Sequence, residues 1–373
     1  MDNAISLQTV LARFLAPQGT RPPRQAQVCA HLQACRTPAM GGWLLQCDRC
    51  QALQPHYFAC RDRHCPHCQQ RASQRWCERQ QQSVLPVTYY HVVFTLPHAL
   101  NPWVQLHPEL LYDLWFKTVW ATLQAFAANP RYLGGELGMT AVLHTWGQTL
   151  AQHVHLHCLI PGGACTAAGQ WRAARSNYLF PVRALSRQVR GRMVSALRVA
   201  WQRGQLHRVT RPGEVATLLD LLMQTEWVVY SKHCVSHTET VVAYLARYTH
   251  RIAITEQRLL AMDDDSVTFR YRDYRDNGKH QRMQLAGAEF VRRFLLHVLP
   301  KGFMRIRHFG FLANRCRAAK LKQIRMALGQ AAERDAAPAS ISESSFDGYP
   351  CPRCRQGLAR VRSPIAAIRW KGG

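Results

Sequence analysis

Three histidines, His153, His155 and His157, alternate with Val154 and Leu156 in one short run. On a strand, successive side chains point to opposite faces, so the imidazoles share one face and the aliphatic residues the other. Imidazoles grouped this way either hold a divalent cation or supply a nucleophilic nitrogen with its helpers. A second set of reactive groups is Tyr244 and Tyr248, separated by Leu-Ala-Arg. Four residues make about one helical turn, which points both phenols the same way. Alone, such a pair is ordinary helix packing; beside a metal-type histidine cluster, in a chain whose 48 Lys+Arg against 22 Asp+Glu suit a nucleic-acid partner, it suggests phosphoryl transfer. A phenol oxygen attacks a phosphate polarised by the ion, which joins the enzyme to a DNA 5′ end and releases a 3′ hydroxyl. The phenol has a pKa of about 10 in water, so the cation and basic neighbours must help it ionise. Two phenols let one hold a strand end while the other attacks a second phosphate, which is strand transfer rather than simple nicking.

Of the 14 cysteines, eight lie before residue 78 and two close the chain as Cys351-Pro-Arg-Cys354. In a reducing compartment that clustering reads as metal binding rather than disulfides. Cys47-Asp-Arg-Cys50 and Cys65-Pro-His-Cys68 are two C-x-x-C knuckles joined by a 14-residue spacer. Each brings two thiolates to one ion, and a hairpin in the spacer unites the pairs in a tetrahedral zinc site; the competing reading is a redox pair. Cys35, Cys60 and His64 are the first candidates for a second zinc. Cys351 and Cys354 supply half a site, either two ordinary thiols in a turn or a zinc completed by distant residues. Structural zinc contributes roughly 10–16 kcal/mol of apparent folding energy in small fingers.

The elements that position these groups follow from the hydrophobic pattern. A short apolar-periodic helix spans Ile5 to Leu15, followed by a linker around Arg21-Pro-Pro-Arg24. The basic, Gln-rich stretch 71–82 is a helix. Residues 87–96, 140–147, 153–163 and 226–232 read as strands, and 108–130, 186–205, 213–224 and 238–251 as helices. A strand-rich stretch with Asp263-Asp264-Asp265 and Asn277-Gly278 turns precedes a helix that ends at Pro300. Strands interleaved with helices over short connections define an α+β fold with helices packed on a sheet.

The chain of 373 residues carries 48 Lys+Arg against 22 Asp+Glu, a formal charge of +26. With 47% hydrophobic residues it can bury a sizeable core, which excludes a disordered chain and a small disulfide scaffold. Such self-repulsion is ordinarily retained for a polyanionic partner, nucleic acid first. No apolar run is long enough to cross a membrane and no signal peptide is visible, so no membrane partner and a cytoplasmic location are expected. From Lys301 to Arg325 there are eight Lys+Arg and no acid, with Phe303, Phe309 and Phe311 interleaved. That tail suits phosphate contacts and stacking on unpaired bases.

The string HTWGQTLAQHVHLHCLIPGG, followed by WVVYSK, YLARYTHRIAI, VTFRYRDY and FVRRFLLHVLPKGFMRIRHFGFLAN and preceded by CRTPAMGG, CDRC and CRDRHCPHC, resembles the two-tyrosine HUH transposases of rolling-circle insertion sequences over about residues 29–320. The resemblance implies three units: an N-terminal zinc-ribbon-like domain (1–85), an HUH endonuclease domain built on an antiparallel sheet (86–300) and a basic C-terminal DNA-contacting region (301–373). It also implies single-stranded element ends and target DNA as partners, Mg²⁺ or Mn²⁺ as catalytic ion, structural Zn²⁺, nucleoid association in a bacterial cell, and copy-out transposition through 5′-phosphotyrosine intermediates. Carried over by residue, Tyr244 and Tyr248 are the nucleophiles and His155 and His157 two metal ligands. His153 is the third, with Gln148 its alternative, since an amide oxygen also ligates a hard cation. Arg247, Arg251, Arg305, Arg307 and Arg315 are the expected DNA contacts. The chain departs from the family's pattern at Val154, where Pro is common, at Val235 to Thr238, where a Gly-Gly-Pro loop is common, and at Trp43, where His is common.

Other readings explain less. H-x-H-x-H also matches histidine-triad nucleotide hydrolases, which leaves the knuckles, paired tyrosines and basic tail without a role. A zinc-dependent DNA-binding protein that does not cut leaves the histidines and tyrosines idle. A replication initiator or relaxase shares the chemistry but not the flanking motifs. Whether the chain works as a homo-oligomer stays open.

Overall fold

The computed structural model describes residues 5–15, 21–81, 83–175, 179–234, 253–274, 276–329 and 348–368. In chain order its elements are α1 (Leu7–Phe14), α2 (Pro23–Ala34), β1 (Gly42–Cys47), β2 (Leu53–Tyr57), α3 (Pro66–Gln81), β3 (Tyr89–Thr95), α4 (Asn101–Leu106), α5 (Pro108–Ala128), β4 (Gly138–Trp146), β5 (Gln152–Pro161), β6 (Gly163–Cys165), β7 (Trp171–Ala173), α6 (Val182–Gln202), α7 (Pro212–Gln224) and β8 (Val229–Cys234). They continue with β9 (Leu259–Met262), β10 (Ser266–Asp273), β11 (Lys279–Ala286), α8 (Gly287–Leu295), β12 (Ile306–Gly310), α9 (Arg317–Ala327), β13 (Tyr349–Pro350) and β14 (Leu358–Ile365).

The central sheet is antiparallel in the order β12-β4-β5-β3-β8. Val154, Leu156 and Cys158 of β5 point to one face and are fully buried. There they join Val92 and Phe94 of β3, Ala141 and Leu143 of β4, and the apolar stripes of α5 and α6, Trp115, Phe116, Val119, Val189 and Met193 among them. The opposite face of β5 carries the three histidines. This is the α+β arrangement of helices on one side of a sheet.

A second core joins distant parts of the chain. Leu7, Val10 and Leu11 of α1 and Val28 and Leu32 of α2 pack with Phe269 of β10 and Phe290 and Phe294 of α8. Ser6 caps α1, its side chain accepting from the Thr9 N–H. The Arg21-Pro-Pro-Arg24 run is not simply linker: Pro23 is the first residue of α2, where a missing N–H costs nothing. The Gly287 Cα lies against the Phe14 ring so closely that a Cβ would sit 2.1 Å from it, so this helix contact requires glycine.

The basic tail is not a separate unit. β12 pairs with β4 in the central sheet, and β14 pairs with β1, residue 365 opposite 42 and 359 opposite 47, in the sheet β13-β14-β1-β2. No helix among the described residues is long and apolar enough to cross a membrane.

Candidate active site and metal centres

Antiparallel pairing sets His144 of β4 opposite His155 of β5, and Val142 opposite His157. Directly opposed side chains lie on the same face. His144, His155 and His157 therefore converge, each offering one nitrogen, with all three within 4.8 Å of one another. Nδ1 of His155 donates to the carbonyl of His153 at 2.8 Å, which leaves its Nε2 bare. Nδ1 of His157 lies 2.9 Å from Nε2 of the buried His91, and Nε2 of His157 faces Nδ1 of His144 at 3.1 Å. Hydrogen bonds at the remote nitrogens are the usual way a protein fixes which imidazole nitrogen meets a metal. Burial pushes His155 down to about 4, with His153 adding to the effect, so this ring is neutral and able to ligate at ordinary pH.

His153 is not part of the trio. The β4–β5 ladder shifts register between His144 and Trp146, and past that irregularity Nδ1 of His153 meets Nε2 of His98 at 2.8 Å. Such bulges re-aim side chains. Gln148 turns its Oε1 to the backbone N–H of Arg272 at 3.4 Å. The third imidazole is thus His144, present in the quoted HTWG string but not assigned a role there. The signal was available: folding the two strands about the Gly147–Ala151 turn puts residue 144 beside 155. Tyr244, Tyr248, Arg247 and Arg251 lie outside the described residues.

The two knuckles do not meet. Cys65 and Cys68 join Cys35 and Cys60, whereas Cys47 and Cys50 join Cys351 and Cys354. Sulfur separations are 3.6 Å for Cys35–Cys65 and 3.7 Å for Cys35–Cys68, Cys60–Cys68, Cys47–Cys354 and Cys50–Cys351. Four thiolates at about 2.3 Å from one zinc stand roughly 3.8 Å apart in a tetrahedron. Backbone supports the same reading. Arg36, Gln51, Arg61 and Arg355, each directly after a cluster cysteine, are left-handed with φ of 58, 56, 55 and 58°. That sharp turn aims amides at sulfur: the N–H groups of Cys60, Asp62 and Cys50 approach Cys35, Cys60 and Cys47 Sγ at 3.5 Å. Both clusters fit structural zinc.

His64 is not a ligand. Its Nδ1 donates to Asp62 at 2.8 Å and its Nε2 accepts from the Leu299 N–H at 3.2 Å. The pairing that brings Cys351 and Cys354 to Cys47 and Cys50 is β14 on β1 rather than a hairpin in the spacer, and with eight cysteines forming both clusters no histidine is needed where Trp43 stands.

The expected arginine contacts divide. Arg305 is buried and donates to Gln69 Oε1 at 3.2 Å, and burial pushes it down to about 10, with Arg63 adding to the effect. Arg307 pairs with Asp113 and stacks over Phe116 at 4.3 Å and Phe303 at 4.9 Å. Arg315 is exposed. Phe303 and Phe311 are core residues, not stacking platforms.

A histidine-bearing antiparallel sheet and two four-cysteine clusters make this an α+β protein with zinc-type sites. Residues 138–320 match a family model described as "Putative transposase", and residues 6–96 one described as "Transposase zinc-binding domain" of IS91 type. The chain is 41% identical over 349 residues to "Putative transposase y4qJ" of Sinorhizobium fredii, covering 89% of this chain and 87% of that protein. It is 27% identical over 375 residues to the transposase for insertion sequence element IS801 of Pseudomonas savastanoi pv. phaseolicola, covering 95% and 87%. No solved structure matches significantly. The chain belongs to the IS91-type transposase family, and with that membership goes DNA as its partner.

Proposed function

We propose that this transposase nicks and rejoins single-stranded DNA at insertion-sequence ends through 5′-phosphotyrosine intermediates, as an HUH enzyme of rolling-circle transposition. The observation that carries the reading is the convergence of His144, His155 and His157 from adjacent strands onto one sheet face. These residues would hold Mg²⁺ or Mn²⁺, and a divalent ion bound there withdraws charge from a phosphate. Tyr244 and Tyr248 are the proposed nucleophiles. One phenol oxygen bonds to phosphorus, its proton leaves, and the 3′ oxygen departs as a hydroxyl. In the rejoining step a 3′ hydroxyl attacks the phosphotyrosine, the P–O bond to tyrosine breaks and the phenol is restored.

The same face carries the exposed Lys232 and Tyr230 of β8, in register with His91 and Val93 of β3. They supply a cation and an aromatic ring to an approaching strand. The cellular setting that fits is the bacterial nucleoid.

The test incubates the full chain with labelled single-stranded oligonucleotides from the element ends and Mg²⁺ or Mn²⁺, and looks for an adduct that survives denaturant. The adduct is expected to disappear only when Tyr244 and Tyr248 are both changed to Phe. An adduct that persists in the double variant rejects those nucleophiles. No adduct in the parent protein, with binding intact, would favour a DNA-binding protein that does not cut.

A further inference from the structure

We propose that a cationic groove beside the Cys35–Cys60–Cys65–Cys68 cluster is a second DNA site, which holds an unpaired length of strand by its phosphates and bases. The proposal rests on DNA being the partner, not on the cleavage chemistry. The groove has a volume of about 700 Å³ and is lined by Arg36, His56, Tyr57, Phe58, Arg61 and His67, among others.

Three features distinguish it from a merely basic surface. First, the groove's two arginines are placed by the metal site. Arg36 and Arg61 each follow a cluster cysteine in the left-handed conformation, and the Arg36 N–H donates to the Phe58 carbonyl at 3.0 Å, which ties the two walls together. Both side chains are exposed, and among the described residues neither guanidinium has a carboxylate or hydrogen-bond partner.

Second, negative charge is withdrawn from the groove. The acid next to Arg61, Asp62, has only 4% of its side chain exposed and is turned inward between His64 and His31, at 2.8 and 3.1 Å. Glu256, which approaches the groove's His67, lies 3.1 Å from that ring. An uncompensated pair of arginines recognises phosphate.

Third, the groove is edged by exposed aromatic rings. Phe58 is 41% and Trp43 38% exposed, edge to face with centroids 5.8 Å apart. Rings left in water beside paired cations are the composition that binds unpaired bases. A duplex offers its bases stacked and covered, so the aromatic edge selects a single strand or an unpaired loop.

The experiment measures binding of a fluorescent oligo-dT strand and an element-end strand to full-length protein carrying Tyr244→Phe and Tyr248→Phe, without added divalent cation, across a salt series. Failure of the cleavage chemistry therefore leaves the result untouched. Changing Arg36 and Arg61 together to Gln is expected to weaken binding about tenfold at low salt and to flatten the log–log salt slope by about 1.4, from roughly 0.7 per lost phosphate contact on a single strand. Phe58→Leu is expected to weaken it at least about fivefold without changing the slope. Zinc content, measured alongside, reports whether the fold is kept; if the double change lowers it, Arg61→Gln alone carries the test at half the slope change. Unaltered affinity and slope in a zinc-replete arginine variant overturn the proposal. A silent Phe58→Leu, or equal losses on duplex and single strand, overturns its unpaired-base part.

Discussion

Nε2 of His157 lies 3.1 Å from Nδ1 of His144, two ring nitrogens brought within hydrogen-bond distance from neighbouring strands. One ring's N–H donating to the other accounts for that spacing when no metal is bound, and the proposed function has a divalent cation take the place of that proton. Changing His144 to Ala is accordingly expected to abolish DNA cleavage and weaken Mn²⁺ binding by at least tenfold, while DNA affinity in the absence of the metal stays within about twofold. His153→Ala, which removes the partner of His98 and leaves the three converging rings in place, is expected to keep most of the activity. Titration of Mn²⁺ against adduct yield separates the two, and equal loss in both variants would restore His153 as the third ligand.

The cysteine clusters predict two zinc ions per chain. Changing both Cys351 and Cys354 to Ser is expected to halve the zinc released on thiol modification, whereas Cys35→Ser and Cys60→Ser together should remove the other ion. A single ion that survives all four changes would mean that the knuckles pair as Cys47–Cys50 with Cys65–Cys68 after all. Chelation should also lower the melting temperature by many degrees, since such ions supply much of the folding energy of small modules.

Arg305 tests what the basic tail does. Its guanidinium is buried against Gln69, so Arg305→Met should leave the salt dependence of DNA binding unchanged but lower stability by about 1–3 kcal/mol through loss of the buried hydrogen bond to Gln69. Urea unfolding and a salt series on the same sample decide it. A slope reduced by about one with stability intact would return Arg305 to the DNA contacts.

Acid should weaken the fold through His297. Its Nε2 donates to the Leu150 carbonyl at 3.0 Å and its Nδ1 accepts from the Thr145 hydroxyl at 3.2 Å, and burial pushes it down to about 4. Below its ordinary value of 6.5 the unfolded chain takes up a proton that the folded ring refuses. Stability is therefore full above about pH 6.5 and declines as pH falls toward 4, by about 2 kcal/mol at pH 5 from this residue. His297→Gln should narrow the difference in urea midpoint between pH 7.5 and pH 5; an unchanged difference would assign the acid sensitivity elsewhere.

Much of the fold was legible where periodicity is strong. The aromatic stripe of residues 108–130 became α5, and the alternation of 153–157 became β5 with its histidines on one face, because local pattern and burial agree there. What escaped was non-local. Nothing in the spacing of Cys47 and Cys50 says that their partners come from residues 351 and 354, because that pairing is made by a strand arriving from the far end of the chain. His144 escaped for a smaller reason, a cross-strand register. The tail misled because composition cannot distinguish an arginine that faces solvent from one, like Arg305, that is packed inside.

The cysteine clasp also has a clock in it. Cys50 and Cys351 are separated by 301 positions, which at roughly 5–20 residues per second of synthesis puts the second pair of thiolates on the order of 15–60 s behind the first. Cys47 and Cys50 wait on the nascent polypeptide without their two partner thiols until residues 351–354 emerge. The four-sulfur set at that centre is complete only once residues 351–354 have left the ribosome.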